Sequence, residues 1–389
     1  FTQCSTVREL YITEEPTQKY SNQQVTINIL QARGECEQKI SNKEIGVILK
    51  VEKFQNIHIG QTCKSRGQLV EPRSSEDFNY KNFLKNKKIY FTMDYPLLEC
   101  ENNVKRSRVK NILTNLRIFL EEKIDSVLNE PQSSLLAGIL FGSKRLLEKN
   151  FEEGVRIAGV SHIVSASGYN ITVLSMSLSK VTSFLSKKKR IILSLIVIWL
   201  FAIFSGFSAS IVRACIMSSL SFVAKLFGRD SSMHVALPLT AVIFLIMEPL
   251  IIFDAGFLLS LSAMIGLIYI QPILEKVLPT SSFVKENILS TMSCTISTLP
   301  ISIFFFKTLS IWSVPANVLI LPVVGSTMIF GILGLASAKF VSEISYFFFT
   351  IVNLQLKYFE LIVMKIQSLG FGAFNIADQY ALPLLFILL

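Results

Sequence analysis

Charge is scarce in this chain of 389 residues: Asp, Glu, Lys and Arg make up 17% of it, where soluble domains run near about 25%. Histidine is scarcer still. The three present, His58, His162 and His234, include no two at metal-ligand spacing, and both HExxH and His-x-His-x-Asp-His are missing, which argues against a zinc hydrolase. There is no Gly-rich loop ending in Lys-Ser/Thr, so the phosphate cradle of ATPases is excluded and any ATP coupling must come from another chain. GxSxG is also absent, the nearest string being Ser165-Ala-Ser167-Gly168. These gaps leave no catalytic set, metal site or cofactor site, and the expectation is a protein that moves something rather than an enzyme.

What is abundant is apolar surface. Hydrophobic residues make up 51% and the mean hydropathy is +0.49. Residues 1–130 hold 20 Lys/Arg and 17 Asp/Glu, whereas the much longer 131–389 holds 18 and 11. A small soluble domain followed by a membrane region fits this split, and disorder, collagen and a disulfide-rich miniature scaffold do not. The net charge of +10 suits either cytoplasmic loops or a path for an anionic solute, and composition does not choose between them. The chain opens on Phe1 rather than Met and ends in the apolar run from Pro383 to Leu389. Both ends read as cut, and no secretory signal pattern occupies the first residues, so any targeting helix would have to lie upstream.

Four of six cysteines, Cys4, Cys36, Cys63 and Cys100, fall in the soluble part. Four allow three pairings. Their spacings fit no CxxC zinc arrangement, so one or two disulfides formed in an oxidising compartment are expected, with free buried thiols as the alternative.

From residue 7 to about 93 the periodicity is strand-like. Val25, Ile27 and Ile29 alternate with polar neighbours, as a half-buried strand requires, and similar runs cover 7–13, 45–54, 67–70 and 89–93. Five such strands in under a hundred residues predict a small β-barrel over residues 1–103, interrupted by a helix around 78–84. Residues 104–158 then read as an amphipathic, interfacial helical connector, with Ile112, Leu116, Phe119, Leu120, Ile124 and Leu128 on one stripe. Over 159–389 a polytopic α-helical membrane domain is expected. Apolar stretches of near-spanning length recur at 159–180, 191–207, 209–227, 234–253, 256–271, 287–306, 312–335 and 343–368, with part of another from 380, so about 8–9 spans are predicted. Alternating sides from the Lys187–Arg190 turn places Lys225, Arg229, Lys276 and Lys285 on one face. The positive-inside rule makes that face cytoplasmic and the barrel extracytoplasmic.

Polar groups within apolar spans are costly and so mark either function or helix glue. The densest set is His162, Ser165, Ser167, Tyr169 and Asn170 in the first span. Small residues at 161, 165 and 168 share a face where another backbone can approach, so tight packing competes with a polar passage lining. Arg213 sits a turn or so inside the third span, either snorkelling to headgroups or contacting phosphate or a carboxylate. Asp254, at the outer end of the fifth span, is a possible partner for it. Pro300, Pro315, Asn317 and Pro322 break the sixth and seventh spans, as plain kinks or as backbone lining a wet cavity.

Taken in order, these blocks resemble a known family. Gly159-Val-Ser-His-Ile-Val-Ser-Ala-Ser-Gly-Tyr-Asn170 is similar to the GLSHLLAVSGLH signature of the ComEC/Rec2 competence proteins. Ser208 to Met217, Gly228-Arg229-Asp230, Glu248-Pro249, Asp254 to Ser260, and Pro300 to Pro322 resemble the blocks that follow, in sequence and spacing. Asp77 to Ile89 looks like the FDYxxYLxxxGI stretch of the family's extracytoplasmic OB-like domain. Two positions depart from the signature: its last Leu and His are Tyr169 and Asn170 here. The resemblance implies an inner-membrane channel that conducts single-stranded DNA into the cytoplasm during natural transformation. It implies an OB-like barrel offering Phe78, Tyr80, Phe83 and Lys81 to the strand, or using those aromatics as packing. Arg213, Asp254 and Asn317 join the first-span residues as path lining, and membrane lipids surround the domain. By family, partners include a cytoplasmic helicase-like ATPase and extracellular DNA receptor and nuclease proteins. The family's metallo-β-lactamase-like domain is not seen in this sequence. A permease for a small or lipid-linked solute, with a closed midplane pocket, and a structural membrane subunit with no pathway are the rival readings.

Overall fold

A computed structural model describes residues 6–12, 17–18, 23–32, 45–52, 61–72, 81, 84–85, 89–104, 108–143, 145, 147–164, 167–228, 233–277, 283–338 and 342–375. Two compact units emerge, one from residues 1–114 with 144–146, the other from 115–143 with 147–389.

The first unit is a sheet. Its strands are β1 (Thr6–Ile12), β2 (Thr17–Gln18), β3 (Gln23–Ala32), β4 (Ile45–Val51), β5 (Gln61–Arg66), β6 (Ile89–Asp94) and β7 (Leu97–Val104). The order is β6-β4-β3-β1-β5-β7, with β2 beside β3. Every ladder is antiparallel except β4 with β6, which is parallel. Alternation sends Leu10, Ile12, Val25, Ile27, Val47, Leu49, Val51, Phe91 and Met93 into one cluster. Ile48, on the opposite face of β4, packs with Leu84 and Ile89 in a smaller one. Beyond β5, Val70 and Thr92 exchange two backbone bonds of 2.8 Å, an isolated antiparallel bridge. The sheet is therefore open as a ladder, with one bridge linking the β5 continuation to β6. Cys63 and Cys100 stand opposite each other in the β5–β7 register and are disulfide-bonded. Cys4, Cys36 and most of the helix expected around 78–84 lie outside the described residues, although 81, 84 and 85 are helical.

The second unit is helical. Its elements are α1 (Arg108–Asp125, which begins in the first unit), α2 (Gln132–Phe141), α3 (Lys149–Ile157), α4 (Ser161–Val164), α5 (Gly168–Val181), α6 (Lys187–Phe204) and α7 (Ala209–Leu226). They continue with α8 (Met233–Met247), α9 (Ala255–Ile265), α10 (Gln271–Val277), α11 (Phe283–Phe306), α12 (Ser313–Ser337) and α13 (Ser342–Ser368). A 3₁₀ turn at Pro249–Phe253 precedes α9, and a π-helical turn at Gly266–Ile270 joins α9 to α10 as one apolar rod. Strands β8 (Thr308–Ser310) and β9 (Ala373–Asn375) pair at the end of α13.

Among the described residues, five segments are long and apolar enough to cross a bilayer: Ala209–Leu226, Ala255–Val277, Glu286–Phe306, Ser313–Ser337 and Ser342–Ser368. The other three expected spans fall short for local reasons. The first is split, α4 ending at Val164 and α5 running 14 residues, or about 21 Å at 1.5 Å per residue. In α6 the first four residues are Lys187-Lys-Lys-Arg190. The fourth, α8, is 15 residues with Pro238 inside. The stretch from 380 lies outside the described residues.

The segment expected to lie at an interface is arranged differently: all ten residues of α2 are buried. It sits among α12, α13 and α4. Gly138 approaches the Val164 carbonyl so closely that a side chain there would collide. On α1 the apolar stripe is covered only at its C-terminal end. Ile124 and Leu128 are buried, whereas Ile112 and Phe119 are exposed.

Candidate functional site

The break between α4 and α5 brings the signature residues against three other helices. Ser167 has extended backbone at the N-cap of α5, and its carbonyl accepts the Asn170 N–H at 3.1 Å. Two residues after Ser167, Tyr169 donates its hydroxyl proton to the Leu321 carbonyl of α12 at 3.0 Å. Asn170 points the other way. It is buried, and its Nδ2 donates to the Ile139 carbonyl of α2 at 2.8 Å. Gly168 faces Ala214 of α7, so a Cβ there would lie 3.4 Å from that methyl group. His162 is exposed on α4 and Ser165 lies outside the described residues.

On α12, Asn317 is 4% exposed, one turn before Leu321. Its Nδ2 reaches Ser313 Oγ at 3.4 Å, while its Oδ1 has no protein partner. Pro322 follows inside the same helix. Its missing N–H leaves the Val318 carbonyl without its helical donor, one turn before the Leu321 carbonyl that Tyr169 reaches.

Arg213 and Asp254 converge on one backbone group without forming an ion pair. Arg213 Nη2 donates to the Gly256 carbonyl at 2.9 Å, and its guanidinium lies 5.9 Å from the Phe257 ring centroid. Asp254 is the N-cap of α9, its Oδ1 accepting the Phe257 N–H at 2.8 Å. Such a cap contributes about 1 kcal/mol. Arg213 is 5% exposed, so it is enclosed by protein rather than snorkelled outward.

The sequence reading missed a seam between α9 and α11. Ser262 and Ser297 exchange hydroxyl-to-carbonyl bonds, the one from Ser297 being 2.6 Å. One turn along, Gly266 meets the Ser293 carbonyl at a separation no side chain would allow. Small residues four apart on each helix, Ser262 with Gly266 and Ser293 with Ser297, were the available signal. Two further polar links, Gln132 to Glu360 at 2.6 Å and Gln355 to Ser326 and Thr327 at 2.9 Å each, carried no spacing signal.

In the first unit, Lys81 pairs with Glu71 at 2.5 Å, both exposed, and this hydrogen bond holds the Glu71 carboxyl below the usual carboxylate range. Phe78, Tyr80 and Phe83 lie outside the described residues. Among the described residues no three His, Cys, Asp or Glu side chains gather as a metal site.

Five apolar segments of spanning length, with interrupted helices, buried amides and an enclosed arginine among them, define a polytopic membrane protein. The Competence protein family model matches residues 139–389, so the chain belongs to that family. It is also 26% identical over 278 residues to ComE operon protein 3 of Bacillus subtilis (strain 168), covering 70% of this chain and 35% of the relative. The chain thus spans about a third of that relative's length. No solved structure matches it.

Proposed function

We propose that this chain is the membrane part of a DNA-uptake channel, conducting a single DNA strand across the cytoplasmic membrane. The observation that carries the reading is the α4–α5 break, where the signature of a competence family meets α2, α7 and α12 through polar or minimal side chains. A strand carries one charge per nucleotide and needs a wet, protein-lined route. Helix breaks at bilayer depth are tolerated where backbone faces protein or water. His162, Ser165, Ser167, Tyr169, Asn170, Arg213, Asp254 and Asn317 are the proposed lining. We count 8–9 spans by adding α4–α5, α6 and α8 to the five long segments and including the stretch from 380.

An OB-like barrel is supported by strand order. Its first strand is flanked by the second and fourth long strands, β3 and β5, and the third and fifth, β4 and β6, run parallel, with the Val70–Thr92 bridge in the closing position. That is the pairing scheme of a partly open five-stranded Greek-key barrel. Its extracytoplasmic placement is supported by the Cys63–Cys100 bond, which persists in oxidising compartments, and by the positive charge of Lys187–Arg190 and Lys225 in the loops read as cytoplasmic. Phe78, Tyr80, Phe83 and Lys81 are the proposed strand contacts there, with a helicase-like ATPase on the cytoplasmic side and DNA receptor and nuclease proteins outside.

The test separates DNA binding from entry in cells carrying the full-length protein. Asn317→Leu and Tyr169→Phe should leave surface-bound DNA unchanged and lower nuclease-protected DNA, Asn317→Leu by about tenfold or more. Unchanged entry in both would remove the proposed lining. The buried Asn170–Ile139 bond specifically favours a second reading, in which the signature fastens helices and lines nothing. In that case Asn170 variants lose folded protein and entry together.

A further inference from the structure

Between Glu153 and Asp230 the sequence holds no Asp or Glu, and the cations of that stretch collect at one end of α5, α6 and α7. These three helices pack pairwise and are joined by short turns, so the end of α5, the start of α6 and the end of α7 lie together. That end carries Lys180, Lys187, Lys188, Lys189, Arg190 and Lys225, with Arg190 half-buried and the others exposed. No acidic side chain stands in the first turn of α6, and among the described residues none of the six has a carboxylate partner. Like charges held this close repel one another until counter-charge arrives from outside the chain.

Apolar side chains share the same end. Val181, Phe184 and Phe227 are 71%, 80% and 79% exposed, so no part of the protein covers them. Hydrogen-bonded turns present them. The Leu185 N–H donates to the Thr182 carbonyl at 2.9 Å and the Phe227 N–H to the Val223 carbonyl at 3.2 Å, while Thr182 is buried and donates its hydroxyl proton to the Leu178 carbonyl at 2.6 Å. Phe227 is the residue after the spanning segment Ala209–Leu226, which sets this end at the hydrocarbon boundary.

We propose that this end of the bundle binds a patch of anionic phospholipid, its cations on the phosphodiester headgroups and Phe184 and Phe227 among the acyl chains beside them. A soluble acidic partner would answer the cations and leave the rings at the hydrocarbon boundary outside its reach. Zwitterionic lipid would cover the rings and leave the net charge unanswered. An anionic leaflet does both, as it does at other basic surfaces that carry exposed aromatic side chains. Lysines suit a fluid array of headgroups, because each is a point charge on a flexible stem. The inference holds in either leaflet, and whether or not the chain conducts DNA.

The test is electron spin resonance on the full chain in phosphatidylcholine vesicles holding a trace of nitroxide-labelled lipid, read as the fraction of label immobilised at the protein. Labelled phosphatidylglycerol should be immobilised about threefold or more over labelled phosphatidylcholine, and the preference should fall as salt rises from about 0.05 to 0.5 M. Replacing Lys187, Lys188, Lys189 and Arg190 together by Gln should reduce the preference to about half or less. Phe184→Ser with Phe227→Ser should lower it while its salt dependence persists. Equal immobilisation of the two lipids overturns the proposal, as does an undiminished preference in the fourfold variant at unchanged helix content. Should that variant fail to fold, an undiminished preference in Lys188→Gln with Lys189→Gln overturns it. Release of the labelled phosphatidylglycerol by a short single-stranded oligonucleotide would assign these cations to a nucleic-acid strand and overturn lipid as the occupant.

Discussion

The two units treat polarity in opposite ways. In the β unit burial follows strand alternation: inward positions of β3, β4 and β6 hold Val25, Ile27, Val47, Leu49, Phe91 and Met93, with Gln23, Gln61 and Ser65 buried beside them, and backbone groups are satisfied by the neighbouring strand. The helical unit satisfies its backbone within each helix, so its apolar surface carries no positional information and polar side chains mark the joints. Many return their hydroxyl to their own helix, as Thr240, Ser293 and Thr298 do four residues back. Those that reach across, Asn170, Tyr169, Ser262 and Ser297, define which helices touch.

The contrast can be pressed hardest at Gly266. Gly266→Val drives a branched side chain into the Ser293 carbonyl and should cost about 3 kcal/mol or more, because two backbones must separate. Protease resistance of the micelle-bound chain would report it, with the β unit's own unfolding unchanged. Next is the disulfide. Replacing Cys63 and Cys100 by Ala should lower the stability of the β unit by about 2–4 kcal/mol, seen as a lower denaturation midpoint that reducing agent no longer shifts. Helix content should not respond. Asn170→Ala removes one interhelical bond and should cost about 1 kcal/mol, measurable as a lowered unfolding midpoint of the micelle-bound chain. The smallest effect is electrostatic. The Glu71 carboxyl is held below its ordinary range by Lys81, so its contribution is present above the unfolded pKa and lost as pH falls through the folded one. Carboxyl chemical shifts should show the lowered titration, and Lys81→Met should return it to the ordinary range.

Legibility followed the same divide. Strands with alternating apolar residues were readable to within a residue or a few, the expected 24–31 being observed as Gln23–Ala32 and 45–54 as Ile45–Val51. Three strands of the sheet were not readable, the two-residue β2 (Thr17–Gln18) among them. In β5 the inward positions are Gln61, Cys63 and Ser65, all buried, so hydropathy pointed just past its end to 67–70, where only Val70 bridges. In β7, Leu97-Leu-Glu-Cys-Glu-Asn-Asn has no alternation, and its place is set by pairing with β5. Among the helices, apolar runs located the long rods but concealed the break at Ser167, since a serine and a glycine in an apolar run read equally well as packing residues. The residues of the candidate site were legible as costly polar groups. Which helix each would meet was not, because partner choice resides in the three-dimensional packing of surfaces that are uniformly apolar in sequence.

The π-helical turn at Gly266–Ile270 has a genetic corollary. It accommodates one more residue than a regular helix would, so the faces before and after it are offset by about 100°. Ser262 and Gly266 engage α11 on one side of the offset, while Tyr269 meets the His234 ring edge-on at 5.3 Å on the other. Excising a single codon within 267–270 would let the rod wind regularly without shortening it below spanning length, and would swing everything toward Val277 by that angle. This short stretch is therefore where the gene can change which neighbour one half of a membrane helix sees while leaving the other half as it was.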